Sequence, residues 1–320
     1  MSTTASSANR FGLTPTNRAV ARLLEVLDLR RLGDHVFEGC SFDPAAGHLF
    51  GGQILAQAVA AADRADGEVS LHSLHANFLG RGTPAAPLLF EVSELRRSRA
   101  FRTQEVLARQ GDKLILKMTV SRNDGGAGPE HQAPVVVSGA KPEGETFEAA
   151  LVRALGGPAD SAAEQSEDSH PAQRLAEKMA KSDREAPDSF ELPIEIRSAP
   201  GMGLFSDIVG PPTAECWMRV RDDIGDDLAL HRAVFVYASD YAIMAPAYKP
   251  HPFPVTAVES ASLDHAVWFH RDFRIDDWLH LSMDSPIASG ARATSRGLLH
   301  DGDGVLVASC VQEGLIRPFS

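Results

Sequence analysis

Cysteine is scarce in this chain. Three cysteines, Cys40, Cys216 and Cys310, lie far apart in 320 residues, with no CxxC pair. That argues against a disulfide framework and fits a reducing compartment, so a cytoplasmic protein is expected. Long apolar runs are missing too: none approaches the ~20 residues of a membrane-spanning helix. The opening stretch MSTTASSANRFGLTPTNR lacks the apolar core of a secretory signal. Positive charge is in short supply, with 31 Lys and Arg against 43 Asp and Glu and a formal net charge of −12. Sequence-independent nucleic-acid binding needs a basic surface, so nucleic acid is not an expected partner, although a small polyanion could still sit in a local basic patch. The 12 histidines show neither HExxH nor Cys/His spacing for zinc, and no metal or cofactor is expected. The absence of a GxSxG elbow speaks against a serine hydrolase.

What is present is an ordinary globular composition, 43% hydrophobic and 23% charged. The length suits about two domains of ~150 residues. Val20, Leu23, Leu24 and Leu27 recur at helical spacing, and VFEGCSF after them reads as a short strand. Residues 50–64, FGGQILAQAVAAADR, predict a helix that is small or apolar on nearly every side, the mark of a buried helix with other backbone close by. From Val69 to Asn123 the period changes to two, and Leu114, Leu116, Met118 and Val120 would share one face of a strand. Residues 124–188 are turn-rich and acidic, with short helices expected near 146–155 and 171–181. Strand-like PIEIRS and ECWMRVR follow. Next comes DDLALHRAVFVYASDY, a second nearly all-apolar helix with Asp226 or Asp227 suited to cap it, and strand patterns then run to the end.

The third segment therefore repeats the first. Sliding residues 70–121 by 191 onto 261–312 leaves nine of 52 positions identical, and QGDKLILKMTV falls on DGDGVLVASCV, a Gly-Asp turn followed by a strand in each. The expected division is an N-terminal unit over 1–134, an acidic connector over 135–188 and a C-terminal unit over 189–320. Each unit would hold one long helix buried against an antiparallel sheet, which is an α+β double hotdog.

Within the second helix, VFVYASDYAIM carries a single ionisable residue, Asp240. A lone carboxylate in such a run is expensive to bury, because losing water disfavours its charged form. It either ends the helix and points to solvent, or serves as a base whose pKa burial has raised toward working pH.

Over about residues 20–317 the chain resembles the bacterial acyl-CoA thioesterase II family. The resemblance rests on HLFGGQILAQAV, LHSLHANFL and PEHQ in the first half. In the second half it rests on DDLALHRAVFVYASDY, SLDHAVWFHRDF and DGDGVLVASCVQEGLIR. It implies a double hotdog of twelve or so strands around two long helices. It also implies hydrolysis of acyl-CoA thioesters without a covalent intermediate, and further assembly to a homodimer or homotetramer. The family's catalytic Asp and Gln fall on Asp240 and Gln312, and its catalytic Thr position holds Ser262. Ser keeps the hydroxyl but lacks the methyl that stiffens the Thr rotamer. The family's LRDGxSF loop reads LRRSRAF here, and its FLRPG turn reads FLGRG, two changes at the expected substrate entrance.

Three further expectations follow. Arg96, Arg97, Arg99 and Arg102 cluster in an otherwise acidic chain, as either a seat for the phosphates of CoA or a solvated charged loop. Under the 191 offset Gln312 meets Ser121 and Ser262 meets Leu71, while aligning the two long helices with each other pairs Asp63 with Asp240. The first unit would thus lack the Gln and the hydroxyl, leaving one active site per chain. Two rival functions stay open: a hotdog enoyl-CoA hydratase using Asp43 and His48, five residues apart before the first long helix, and an acyl-CoA binding protein without catalysis.

Overall fold

The computed structural model describes residues 10–41, 49–134, 144–154, 192–198, 209–253 and 257–319. The first half runs α1 (Arg18–Leu27), β1 (Arg30–Arg31), β2 (Val36–Gly39), α2 (Gly51–Asp66), β3 (Leu71–Phe78), β4 (Leu88–Arg97), β5 (Arg102–Gln110) and β6 (Lys113–Arg122). A short helix, α3 (Phe147–Ala154), falls where one connector helix is expected; residues 171–181 lie outside the described residues. The second half runs β7 (Ile194–Ser198), β8 (Thr213–Val220), α4 (Leu228–Ala242), α5 (Ala245–Tyr248), β9 (Val258–Ser262), β10 (Asp264–Phe269), β11 (Leu279–Ser289), β12 (Arg292–His300) and β13 (Leu306–Pro318).

The strands form one sheet in the order β1-β2-β4-β5-β6-β3-β10-β13-β12-β11-β8-β7, with β9 pairing off this path onto β13. All these pairings are antiparallel, and β3 against β10 joins the two halves edge to edge. The expected alternation holds on β6, where Leu116, Met118 and Val120 are fully buried and Leu114 is half-buried. This is the double hotdog expected from the repeat, with α2 and α4 wrapped by the sheet.

The two long helices lie antiparallel against each other, with the start of α2 beside the end of α4. Their sequences explain the closeness. α2 carries Gly51, Gly52 and six Ala where a typical core helix carries Leu or Phe, and a Cβ at Gly52 would collide with the Tyr237 carbonyl oxygen. α4 is capped in the ordinary way: Asp227, one of the two expected cap residues, accepts from Ala229 N at 2.9 Å and Leu230 N at 3.4 Å. α2 has no such cap, because Phe50 precedes it. Its first N–H groups need a partner from elsewhere.

The repeat is real, with one adjustment. In each half the register shifts at the same place, between Ala108 and Arg109 of β5 and between Leu299 and His300 of β12, where the partner strand bulges by one residue (Ile115 of β6, Val307 of β13), so the offset there is 191. Ala108 then pairs with Leu116 and Leu299 with Ala308, so the following strand is offset by 192. The second half has one extra residue in the turn. Gln312 therefore corresponds to Val120, not Ser121, which corrects the ungapped alignment.

Candidate active site

The missing cap of α2 comes from the other half of the chain. Asp240 Oδ2 accepts from Gly52 N at 2.8 Å, placing a carboxylate on the N-terminus of a helix 188 residues away in sequence. The helix dipole and an unpaired N–H both favour an anion there. The other oxygen, Oδ1, accepts from the Ser262 hydroxyl at 3.2 Å. Gln312 Nε2 donates to Ser262 Oγ at 3.0 Å. The lone ionisable group of VFVYASDYAIM and the two residues carried over from the resemblance thus form one chain of contacts.

Strand period accounts for their convergence. Gln312 shares a face of β13 with Ala308 and Cys310, and all three are buried. Ser262 ends β9, which pairs with β13 through Gly314, and so stands beside Gln312. Asp240 is half-buried near the end of α4, over this corner of the sheet.

Two further residues extend the chain. Gln312 Oε1 lies 2.5 Å from His265 Nδ1, and His265 Nε2 lies 2.9 Å from Ser239 Oγ. His265 and Ser239 are fully buried. The sequence left His265 among histidines expected in the core or in hydrogen bonds. The signal that sets it apart is parity, since His265 alternates with the buried Val267 and Phe269 on the inner face of β10. A buried imidazole on that face needs polar partners. Gly52 was also missed as a functional group, because a backbone N–H leaves no mark on residue identity.

The electrostatics follow from this packing. Burial pushes the Asp240 carboxyl above the usual carboxylate range, opposed in part by nearby His265, by Gly52 N–H and by the Ser262 and Gln312 hydrogen bonds. Burial pushes His265 below the ordinary imidazole range. Phe50, Tyr237 and Tyr241 pack beside the site, with Phe50 centred 5.2 Å from Tyr237 and 4.5 Å from Tyr241.

The corresponding place in the first half is apolar. In corrected register, Leu71, Leu74 and Val120 stand where the second half has Ser262, His265 and Gln312, and all three are buried. Asp63, the counterpart of Asp240, is held instead by Arg122 Nη2 at 2.7 Å, and Arg122 also donates to Gln104 and to Val69 O. Asp63→Asn is expected to leave turnover unchanged while lowering thermal stability, because Arg122 is buried and loses its counter-charge. Loss of turnover with the melting temperature preserved would count against a single site per chain.

The arginine loop sits elsewhere. Arg97 Nη2 meets Asp66 at 2.6 Å and Glu94 at 2.6 Å, and Arg102 meets Asp66 at 2.5 Å. Arg96 is the next-to-last residue of β4, before Arg97, and Arg99 lies in the turn that follows. Asp66 ends α2, about 21 Å along the helix from Gly52 at ~1.5 Å per residue. Asp43 and His48 of the hydratase alternative lie outside the described residues. Among the described residues there is no group of His, Cys, Asp and Glu that could hold a metal, and no helix long and apolar enough to cross a membrane.

Comparison with known proteins bears on this arrangement. A family model for the N-terminal domain of acyl-CoA thioesterases matches residues 41–123, and one for the C-terminal domain matches residues 159–316. The chain belongs to the acyl-CoA thioesterase II family. It is 33% identical to mouse acyl-coenzyme A thioesterase 8, over 97% of this chain and 93% of that protein. It is 30% identical to acyl-CoA thioesterase 2 of Haemophilus influenzae, over 92% and 96%. The crystal structure of acyl-CoA thioesterase II TesB2 from Mycobacterium marinum superposes with a TM-score of 0.68 at 28% identity, over 93% of this chain and 99% of that one. Among the described residues of this thioesterase-family chain, the second half carries Asp240, Ser262, Gln312 and His265, while the first half supplies Gly52 and the helix end that receives Asp240.

Proposed function

We propose that this member of the family hydrolyses acyl-CoA thioesters to a free acid and CoA, with Asp240 as general base and Ser262 and Gln312 as its partners. The observation that carries the reading is the carboxylate of Asp240, lodged in an apolar helix yet held on both oxygens by neutral donors. The donors favour the ionised form of such a group and fix its direction, while burial makes it a stronger base toward water. Water held by the carboxylate attacks the thioester carbonyl carbon as its proton passes to Asp240. The tetrahedral intermediate expels the CoA thiolate, and the proton on Asp240 is returned to the departing sulfur. The carbon–oxygen bond forms, the carbon–sulfur bond breaks, and no bond to the protein is made.

The free acid and the free thiol give the test. Purified protein with a panel of saturated acyl-CoAs should release thiol continuously; tight binding without release would favour a binding protein. Ser262→Thr should retain turnover within a few-fold, because the hydroxyl stays. Ser262→Ala should lose roughly tenfold or more, because one donor to the carboxylate is gone and Gln312 loses its acceptor. The seat for the CoA phosphates at Arg96, Arg97, Arg99 and Arg102 draws no support from the geometry, since Arg97 and Arg102 already pair with Asp66. Free thiols at Cys40, Cys216 and Cys310 support a reducing, cytoplasmic setting. Assembly to a homodimer or homotetramer belongs to the same reading; light scattering that finds only the 34.3 kDa single chain would contradict it.

A further inference from the structure

Beyond Gln312 the hydrogen-bond chain runs to His265, which acts on the carboxylate through Gln312 and Ser262 rather than by a hydrogen bond of its own. Donors and acceptors along it can be counted. Ser262 has one hydroxyl hydrogen, and Asp240 Oδ1 takes it. Ser262 Oγ must then accept from Gln312, so the Gln312 NH2 faces Ser262 and its Oε1 faces His265. Oε1 can only accept, so His265 Nδ1 must carry a hydrogen. A neutral imidazole then has a bare Nε2, which needs a donor, and Ser239 Oγ is 2.9 Å away.

The opposite arrangement is also chemically complete, with a different outcome. With hydrogen on Nε2, His265 would donate to Ser239, and Ser239 would donate to Val236 O at 3.0 Å. Nδ1 would become an acceptor, and the Gln312 amide would turn to donate to it. Gln312 Oε1 would then face Ser262, whose single hydrogen would leave Asp240. The carboxylate would keep Gly52 N–H and lose the donors on its side-chain partners, the Ser262 hydroxyl and the turned Gln312 amide. Two features favour the first arrangement. Val236 O lies inside α4, where the helical ladder already supplies a donor, whereas a bare Nε2 has Ser239 alone. The first arrangement also keeps a donor on each oxygen of the carboxylate.

We propose that His265 is a positioning residue: its Nδ1–H tautomer, held by Ser239, fixes which way the Gln312 amide faces and so keeps the Ser262 hydroxyl donating to Asp240. The inference rests on the reading of Asp240 as the base, and it concerns a residue that never touches the reacting atoms.

Asn and Gln at position 265 separate the two ring nitrogens, because an Asn amide nitrogen can take the place of Nδ1 and a Gln amide that of Nε2. His265→Asn should keep kcat within about threefold, and His265→Gln should lower kcat roughly tenfold or more with KM little changed. A merely structural role would move melting temperature, not the split between the two variants. A second readout needs no turnover. In the full-length protein with isotope-labelled histidine, the long-range proton–nitrogen spectrum should show one imidazole neutral and protonated on Nδ1, and that signal should vanish in both variants. An imidazole protonated on Nε2 at this position, or two folded variants with equal kcat, would overturn the proposal. If the tautomer is as expected and the parent releases no thiol from any acyl-CoA, the tautomer lock stands and the reading of Asp240 as base fails.

Discussion

Asp240→Asn is expected to cut thioester turnover by about 10²–10⁴-fold, the range of a lost general base. Asn keeps an oxygen for Gly52 N–H, so the start of α2 stays capped and the fold is retained. The amide cannot take a proton from water. Stability should move the other way from activity. Because burial raises the Asp240 pKa, its charged form is disfavoured in the folded state. Above the raised pKa the folded protein carries the cost of an ionised buried carboxylate, and that cost is removed in the Asn variant. The variant should melt at or above the parent temperature near neutral pH, with circular dichroism unchanged. The parent's kcat/KM should show an acid limb. Turnover needs ionised Asp240, so activity falls as pH drops through its pKa, and that limb should lie above the range of an ordinary carboxylate. A limb at the ordinary position, or turnover in the Asn variant within tenfold of the parent, would remove Asp240 from the chemistry.

Gly52→Ala is expected to reverse the usual sign of a helix substitution. In an open helix, Gly→Ala stabilises by about 1 kcal/mol. Here the added Cβ meets the Tyr237 carbonyl oxygen on α4 and the Phe50 ring at 2.6 Å. Backbone cannot give way as a flexible side chain can, so the helices must separate, at a cost of ~1–3 kcal/mol. The same shift carries Gly52 N away from Asp240, and turnover should fall with stability. Gly51→Ala separates the two effects: its Cβ would stand 2.6 Å from Asp240 Oδ2 and 3.2 Å from the Phe78 ring. That variant should lose activity out of proportion to its loss in melting temperature. Wild-type melting and turnover in both variants would mean that the two helices do not approach as described.

The sequence alone determined a good deal. Apolar and small residues on all sides of 50–64 and 228–242, flanked by period-two stretches, carry the buried helices and the antiparallel sheet, because those patterns answer to burial of the segment itself. The repeat was legible for the same reason, down to the Gly-Asp turns. The extra residue after the second turn was not, since only the shared bulge reveals which face each later residue takes. That single step decides whether the counterpart of Gln312 is a polar Ser121 or a buried Val120. Asp240 stood out as one charge in an apolar run, while Ser262 and Gln312 came from the resemblance and are unremarkable by themselves. What only the tertiary structure decided is the company each residue keeps. Gly52 N–H reaches Asp240 across 188 residues, His265 orients Gln312 across a strand pair, and Arg122 rather than a polar relay holds Asp63. Periodicity says which way a side chain faces along its own strand or helix. It carries no record of which distant backbone group or ring will be waiting there, because that depends on how the two halves pack against each other.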